Sequence, residues 1–407
     1  MIKHTPRQTY LLFIVLYEFG LSLTFTSYVP YLRELGLGPS DVSFVNIGFW
    51  VALLACEIPT GNFADRHGWV RSIQVGVTIE AISALLYSTA SGLATAFIYE
   101  AMIGVGMSFV SGALNAWLYN ACVVHGSADD FRLITARGAQ YRALSCIVGG
   151  LLGGFIGMYA KRLTWLGSGL MLVAAGIITF TRMKEERAPP PSPDQETTES
   201  KPKETLHPLR QSWNLLRASY ELKWIIAAYL SFSFVLPFNH YWSPFFRSHI
   251  DEFWATILCA PMQLSVGLAG FFIRHIGFKK TNEGTGISIA LFLAGIGLVG
   301  MSALSGISGV VLCLMLHEFG RGMFVPMLDT YTQSRIKNDY RATYASLQSF
   351  IARIGNLVVL GGVWMATANL PWDNALIGRV WVVSGSILTC FTVVLWIGWL
   401  RRPRTMQ

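Results

Sequence analysis

Several ionisable residues stand inside stretches that are otherwise apolar. They are Glu18, Glu80, Glu100 and Arg142 in the first half, and His240, His317, Glu318, Arg321 and Arg353 in the second, with Asp329 nearer the end of its stretch. A charge in hydrocarbon is costly, so such a residue is expected to face a cavity or a partner. Glu18 has Tyr17 beside it and Ser22 one helical turn on, the setting of a carboxylate that takes up and releases a proton. Glu18, Glu100 and Glu318 are the proton-coupling candidates. His317 and Arg321 are four apart and Glu318 and Arg321 three apart, so on a helix they share a face. Two readings of that cluster stand side by side: a substrate or proton site, or a self-neutralised pair that serves packing. Asn239-His240-Tyr241-Trp242, just before Pro244, combines polar and aromatic groups in the way an amphipathic organic ligand requires. Asn115 and Trp117 join Asn239, His240, Trp242, His317 and Arg321 as substrate-cavity candidates. Arg142 and Arg353 precede the pairs Gly153-Gly154 and Gly361-Gly362 by 11 and 8 residues. They suit attraction of an anionic substrate or of a carboxylate such as Glu18, and the sequence leaves that choice open.

Other chemistries lack their residues. The chain has no HExxH pair, no Walker-type phosphate loop and no Cys/His cluster. Its six cysteines lie in or at the ends of apolar stretches without a CxxC pair, so they read as small hydrophobes. The expectation is a protein without cofactor or metal, and neither an enzyme nor an ATP-driven pump. A net charge of +8 would suggest nucleic acid in a soluble chain; here the basic residues lie between apolar stretches, and no such partner is expected.

The elements that position these residues follow from composition. Of 407 residues 53% are hydrophobic and 13% charged, and mean hydropathy is +0.46. Soluble domains carry about 25% charged residues, whereas stretches of about 20 apolar residues match the bilayer core. Twelve spans are predicted, near 9–32, 42–63, 72–91, 93–120, 134–160, 162–182, 223–246, 253–274, 284–303, 306–332, 342–369 and 375–400. The short turns at 92 and 161 are the tightest of these divisions. The first stretch has no small-residue cleavage site and reads as a retained span. With the N-terminus inside, cytoplasmic segments hold about 23 of the 31 Lys and Arg residues, against about five outside. Both termini are therefore expected in the cytoplasm, in a multi-pass protein of the cell (inner) membrane.

Residues 183–222 differ in kind. Proline and charge with few aliphatics predict a solvated linker. Its tail, with Leu209, Trp213 and Leu216 at helical spacing, predicts an amphipathic helix on the membrane surface. The expected organisation is an N-terminal six-helix bundle at 1–182, the linker, and a C-terminal six-helix bundle at 223–407.

The halves echo one another. Gly61-Asn62-Phe63-Ala64-Asp65-Arg66-His67-Gly68-Trp69-Val70-Arg71 aligns with Gly270 to Lys280 at an offset of 209, sharing both glycines, the aromatic after the second and the terminal base. Gln140 and Gln348 each stand 13 residues before their Gly-Gly pairs. Pro30 to Arg33 pairs with Pro244 to Arg247. Three matches in one order indicate duplicated halves, an architecture that places a site between them.

The run from Gly61 to Arg71 resembles the loop 2–3 signature of the major facilitator superfamily, and Glu57-Ile58-Pro59-Thr60 is similar to a bacterial exporter-like subgroup. The resemblance implies an all-α fold of two pseudo-symmetric six-helix bundles. It also implies a gate motif at Gly61, Asp65, Arg66, Gly68 and Arg71, in which Asp65 latches the inner side near Arg341. Gly61 and Gly68 suit close backbone approach, and Asp65 suits the positive end of a helix. Trp69-Val70 departs from the family's basic pair, Arg274 stands at the second-half position of Asp65, Glu100 replaces an arginine, and Gly149-Gly150-Leu151-Leu152-Gly153-Gly154 lacks the exporters' proline. Gly150, Gly154 and Gly157 are expected to let helices pack closely.

The function so implied is secondary active transport of a small organic solute by alternating access. Proton-coupled export by an antiporting monomer, as in drug or metabolite efflux, is the leading expectation. Uptake of a metabolite or siderophore and lipid flipping are the alternatives.

Overall fold

The computed structural model describes residues 5–125, 128–185, 219–276, 282–335 and 338–402, side chains at 128–129, 274–276, 333–335 and 338–346 excepted. The predicted surface helix at 206–219 lies almost wholly outside the described residues. The described residues form helices α1 (Pro6–Ser22), α2 (Tyr28–Glu34), α3 (Pro39–His67), α4 (Trp69–Tyr87), α5 (Leu93–His125), α6 (Ala128–Tyr159) and α7 (Lys161–Arg182). After the linker come α8 (Tyr220–Phe232), α9 (Leu236–Arg247), α10 (Glu252–Ile257), α11 (Cys259–Ile276), α12 (Glu283–Ala303), α13 (Ile307–Arg335), α14 (Asn338–Ala366) and α15 (Asn374–Leu400). Among them eleven stretches are long and apolar enough to cross a membrane. The twelfth span is the α1–α2 pair, which is broken. The predicted turn at 161 is a single non-helical residue, Ala160.

Local chemistry fixes several ends. Thr5 and Gln8 form a reciprocal capping box at the start of α1, with Pro6 in the first turn. Asp41 accepts the Gly38 amide at 2.8 Å where α3 begins, and Asp373 accepts the Ala375 amide at the start of α15.

The break in the first span is a departure from the continuous helix expected over 9–32. Leu23 to Ser27 form turns instead. Short hydroxyl side chains divert local carbonyls there: Ser22 Oγ donates to the Glu18 carbonyl at 2.6 Å and Thr24 Oγ1 to the Leu21 carbonyl at 3.1 Å. Helix α6 packs its glycines onto this turn. A Cβ at Gly153 would overlap the Leu23 carbonyl, and one at Gly157 would lie 3.1 Å from the Ser27 Cβ. Thr26 Oγ1 donates to the Gly150 carbonyl at 3.3 Å, and the Ser27 hydroxyl meets that of Thr164 at 2.8 Å. The seventh span repeats the device, with a 3₁₀ turn at Ser233–Val235 between α8 and α9, where a Cβ on Gly355 of α14 would stand 2.7 Å from Ser233 Oγ. The repeat is not complete in detail: Cβ atoms at Gly361 and Gly362 would meet nothing within 4 Å.

The chain packs as two units. The first contains α1 to α7 together with Phe246–Ala260 and Ala368–Pro371. In it α1 packs on α6 and α7, α5 on α3 and α4, and α4 on α7. Tyr87 and Trp165 stack at 3.8 Å with the Tyr31 ring tilted against both, and a Cβ at Gly76 would lie 2.6 Å from the Gly106 carbonyl, so α4 and α5 touch backbone to backbone. The second unit holds the remaining described helices. In it α12 packs on α13 and α15, around a core that includes Trp224, Phe324, Tyr331, Leu388 and Trp399.

Candidate functional site

In the first unit the buried polar groups gather on the faces of α1. Glu18 pairs with Arg142 of α6 at 2.8 Å, where the Glu18 side chain is 15% exposed and that of Arg142 56%. The alternative left open by the sequence, an arginine drawn to Glu18, is the arrangement adopted. The preceding residue turns the other way: Tyr17 Oη donates to Glu80 Oε1 of α4 at 3.0 Å. Glu80 is fully buried, and its Oε2 has no hydrogen-bond partner among the described residues. Glu100 of α5 is buried beside the hydroxyls of Tyr28 and Tyr87, away from the Glu18 pair.

The gate motif straddles the end of α3 and the start of α4. Gly68 sits between them at φ +103°, a backbone conformation that disfavours a side chain. Directly over it lies Glu185, the third residue after α7. Its two carboxylate oxygens accept the Trp69 and Val70 amides, each at 2.9 Å, and a Cβ on Gly68 would stand 2.8 Å from Glu185 Oε2. The acid at the positive end of α4 is therefore Glu185 and not Asp65. Asp65, Arg66 and Arg71 are exposed, and Asp65 makes no ion pair among the described residues. The side chains of Arg341 and Arg274 lie outside them. Gly61 is exposed within α3, and a Cβ there would meet nothing within 4 Å, so close approach is needed at Gly68 alone. Trp117 belongs to this corner as well: it is buried and donates from Nε1 to the Lys184 carbonyl at 2.8 Å. Its ring holds the exit of α7, while Asn115 is exposed.

At the other end of the first unit, Phe246–Ala260 packs on α6 and comes beside α2 and α7. Arg247 pairs with Glu252, and Lys161 reaches Glu34 at 2.6 Å and Glu252 at 4.0 Å. With Pro30 and Arg33 these residues line a cavity of about 380 Å³. A Cβ at Gly150 would lie 2.5 Å from Cys259 Sγ, and one at Gly154 would overlap Thr256. The expectation of close packing at Gly150, Gly154 and Gly157 thus has concrete neighbours.

In the second unit α13 carries the matching cluster. Glu318 pairs with Arg321 at 2.8 Å, and the guanidinium lies 5.7 Å from the Phe238 ring. His317 does not join that pair. Its Nδ1 donates to the Ala294 carbonyl at 2.7 Å, which fixes the tautomer and leaves Nε2 as a buried atom with no partner among the described residues. The His317 ring packs on Phe238 at 4.5 Å, and Phe238 on Trp381 at 5.7 Å; Trp381 Nε1 likewise has no described partner. His240 is buried, its Nδ1 without a hydrogen-bond partner among the described residues, Trp242 is buried, and Asn239 is half-buried. Asp329 accepts the Tyr229 hydroxyl. Arg353 is half-buried in α14.

Sequence reasoning missed Glu185, Phe238 and Trp381. Glu185 sits in a charged run that looks wholly solvated, and the two aromatics lie in apolar stretches rich in aromatics. The structure gives no group of three or more His, Cys, Asp or Glu side chains able to hold a metal among the described residues.

Comparison with known proteins agrees with this architecture. No curated protein sequence matches the chain. Among solved structures it is similar to the nucleoside transporter NupG, at 14% identity and TM-score 0.77 over 97% of this chain and 100% of that one. It also resembles an auto-inhibited POT family peptide transporter, at 11% identity and TM-score 0.76 over 98% and 97% of the two chains. A bacterial homologue of the human lysosomal transporter Spinster, in an inward-facing unoccupied conformation, gives 13% identity and TM-score 0.68 over 97% and 94%. At such identities the likeness is one of fold. The family model described as Major Facilitator Superfamily matches residues 10–360, and with that share of its length covered this chain belongs to the major facilitator superfamily.

Proposed function

We propose that this chain moves a small organic solute across the cell membrane by alternating access, driven by protons exchanged at Glu18. The observation that carries the reading is the Glu18–Arg142 pair, an acid that is mostly buried at mid-span held by a guanidinium that remains half exposed. Such a pair has two states. Ionised Glu18 holds Arg142 through a charge-assisted hydrogen bond, and a proton on Glu18 removes the charge that holds it. A solute whose donor group takes the carboxylate competes with the proton, which couples the two in opposite directions and yields export as an antiporter. His240, His317, Trp242 and the Glu318–Arg321 pair supply polar and aromatic contacts for an organic solute. Asp65 serves as the inner latch, with Gly68 and the Glu185 clamp setting its loop. The bundles at 1–182 and 223–407 are the moving halves, the protein works as a monomer, and both termini lie in the cytoplasm.

A second reading follows from the exposed side of Arg142. If the solute is anionic, a proton on Glu18 frees the guanidinium to bind it, and proton and solute travel together as in uptake. A stabilisation screen of the purified protein against nucleosides, peptides, organic cations and organic anions at acidic and alkaline pH identifies a transported class. Flux of that solute in inside-out and right-side-out vesicles then separates the readings. Accumulation in inside-out vesicles only under an imposed acid interior supports antiport, and flux indifferent to the proton gradient overturns both.

A further inference from the structure

The cavity at the N-terminal end of the first unit is used by neither the coupling pair nor the gate motif. It measures about 250 Å³ and is open on one side, bounded by the start of α1, the end of α5 and the start of α6. Its rim brings together Arg7 from α1, His125 from α5, and Asp130 and Arg137 from α6. Its wall is apolar: Pro6, Ala121, Cys122 and Ile134, the last three buried, with Leu133 at the lip 64% exposed. Two residues before Ala121 and Leu133, Tyr119 and Phe131 meet edge to face, with Tyr119 48% exposed.

We propose that this cavity binds a phosphate group, and that its natural occupant is the headgroup of an anionic phospholipid. Arg7 and Arg137, from two different helices, line one concavity, and arginine is the side chain whose fork matches phosphate oxygens. Asp130, the one acid in the lining, does not favour a polyanion. The volume falls below the range of roughly 300–1,000 Å³ usual for pockets that enclose a drug-sized molecule, and an apolar lip beside a polar recess suits a ligand whose tail stays in lipid. The orientation proposed above sets this end against the cytoplasmic leaflet, where anionic lipid concentrates; the inference rests on that orientation and not on proton coupling. Occupancy also has a route to the coupling pair. One residue beyond Arg137, a Cβ on Gly138 would lie 2.8 Å from the Tyr10 ring, so α1 and α6 are in contact between the cavity and Arg142.

The test is lipid-dependent thermal stability of the full chain in a neutral detergent, titrated with short-chain phosphatidylglycerol, phosphatidylcholine or glycerol phosphate. Wild type and Arg7→Gln/Arg137→Gln are compared, with Arg7→Lys/Arg137→Lys as the charge-retaining control. The proposal expects phosphatidylglycerol to stabilise wild type, with apparent affinity falling about tenfold or more in the Gln variant and recovering in part in the Lys variant. Glycerol phosphate acting equally well, with the same loss in the Gln variant, assigns the site to a soluble phosphate ester instead. A stabilisation that is the same in the Gln variant, or absent with both phosphates, overturns the proposal. Because the readout is binding, its failure leaves the Glu18 reading standing.

Discussion

Glu185 Oε1 accepts the Trp69 amide of α4 at 2.9 Å, from 116 residues away in sequence. The second oxygen takes the Val70 amide, so one carboxylate satisfies two of the amides that a helix start leaves open. Glu185→Ala is therefore expected to destabilise the first unit by about 1 kcal/mol, the usual worth of a cap. Glu185→Gln keeps one acceptor oxygen and should lie between. Thermal unfolding of the purified protein measures both, and an unchanged midpoint for Glu185→Ala contradicts the clamp.

The two Gly-Gly pairs that align in sequence should behave oppositely. Gly153→Ala forces a methyl into the Leu23 carbonyl and is expected to cost on the order of 1–3 kcal/mol as overpacking. Gly361→Ala meets open space and should be tolerated. Equal effects of the two substitutions on the unfolding midpoint would contradict the packing of α6 on the broken first span.

The spans themselves were legible because hydrophobic runs of bilayer length are a strong signal. What the sequence hid depended on contacts far apart in the chain. The break at Leu23–Ser27 needed the glycines of α6 to make room and the hydroxyls of Ser22 and Thr24 to take local carbonyls. Glu185 looked like one more charge of a solvated linker, and its role exists only because α7 ends beside Gly68. Arg142 could be matched to either a ligand or Glu18 until α1 and α6 were seen to pack.

The Tyr17–Glu80 hydrogen bond lies wholly inside the first unit. Tyr17→Phe removes the donor and leaves Glu80 with no described partner, at an expected cost of about 1–3 kcal/mol for an unmet buried polar group. Tyr17→Phe/Glu80→Leu together should recover part of that loss, since both polar partners are then gone. Unfolding midpoints that simply add would contradict the coupling of the two side chains.

Glu318 and Arg321 separate the packing and substrate readings. Glu318→Gln leaves the partly buried guanidinium without its acid and is expected to lower stability by about 3 kcal/mol at most, with Glu318→Gln/Arg321→Met recovering much of it. If the double variant is stable yet no longer stabilised by the solute found in the screen, the pair contacts solute. If it binds normally, the pair is structural.

The most direct test of proton coupling is the proton count on solute binding, read with a pH-sensitive dye in weakly buffered solution. Wild type and Glu18→Gln are compared with the solute identified by the stabilisation screen. The predicted result is a proton exchanged when wild type binds and none when Glu18→Gln binds the same solute. Protons exchanged equally by both proteins would contradict the assignment of coupling to Glu18.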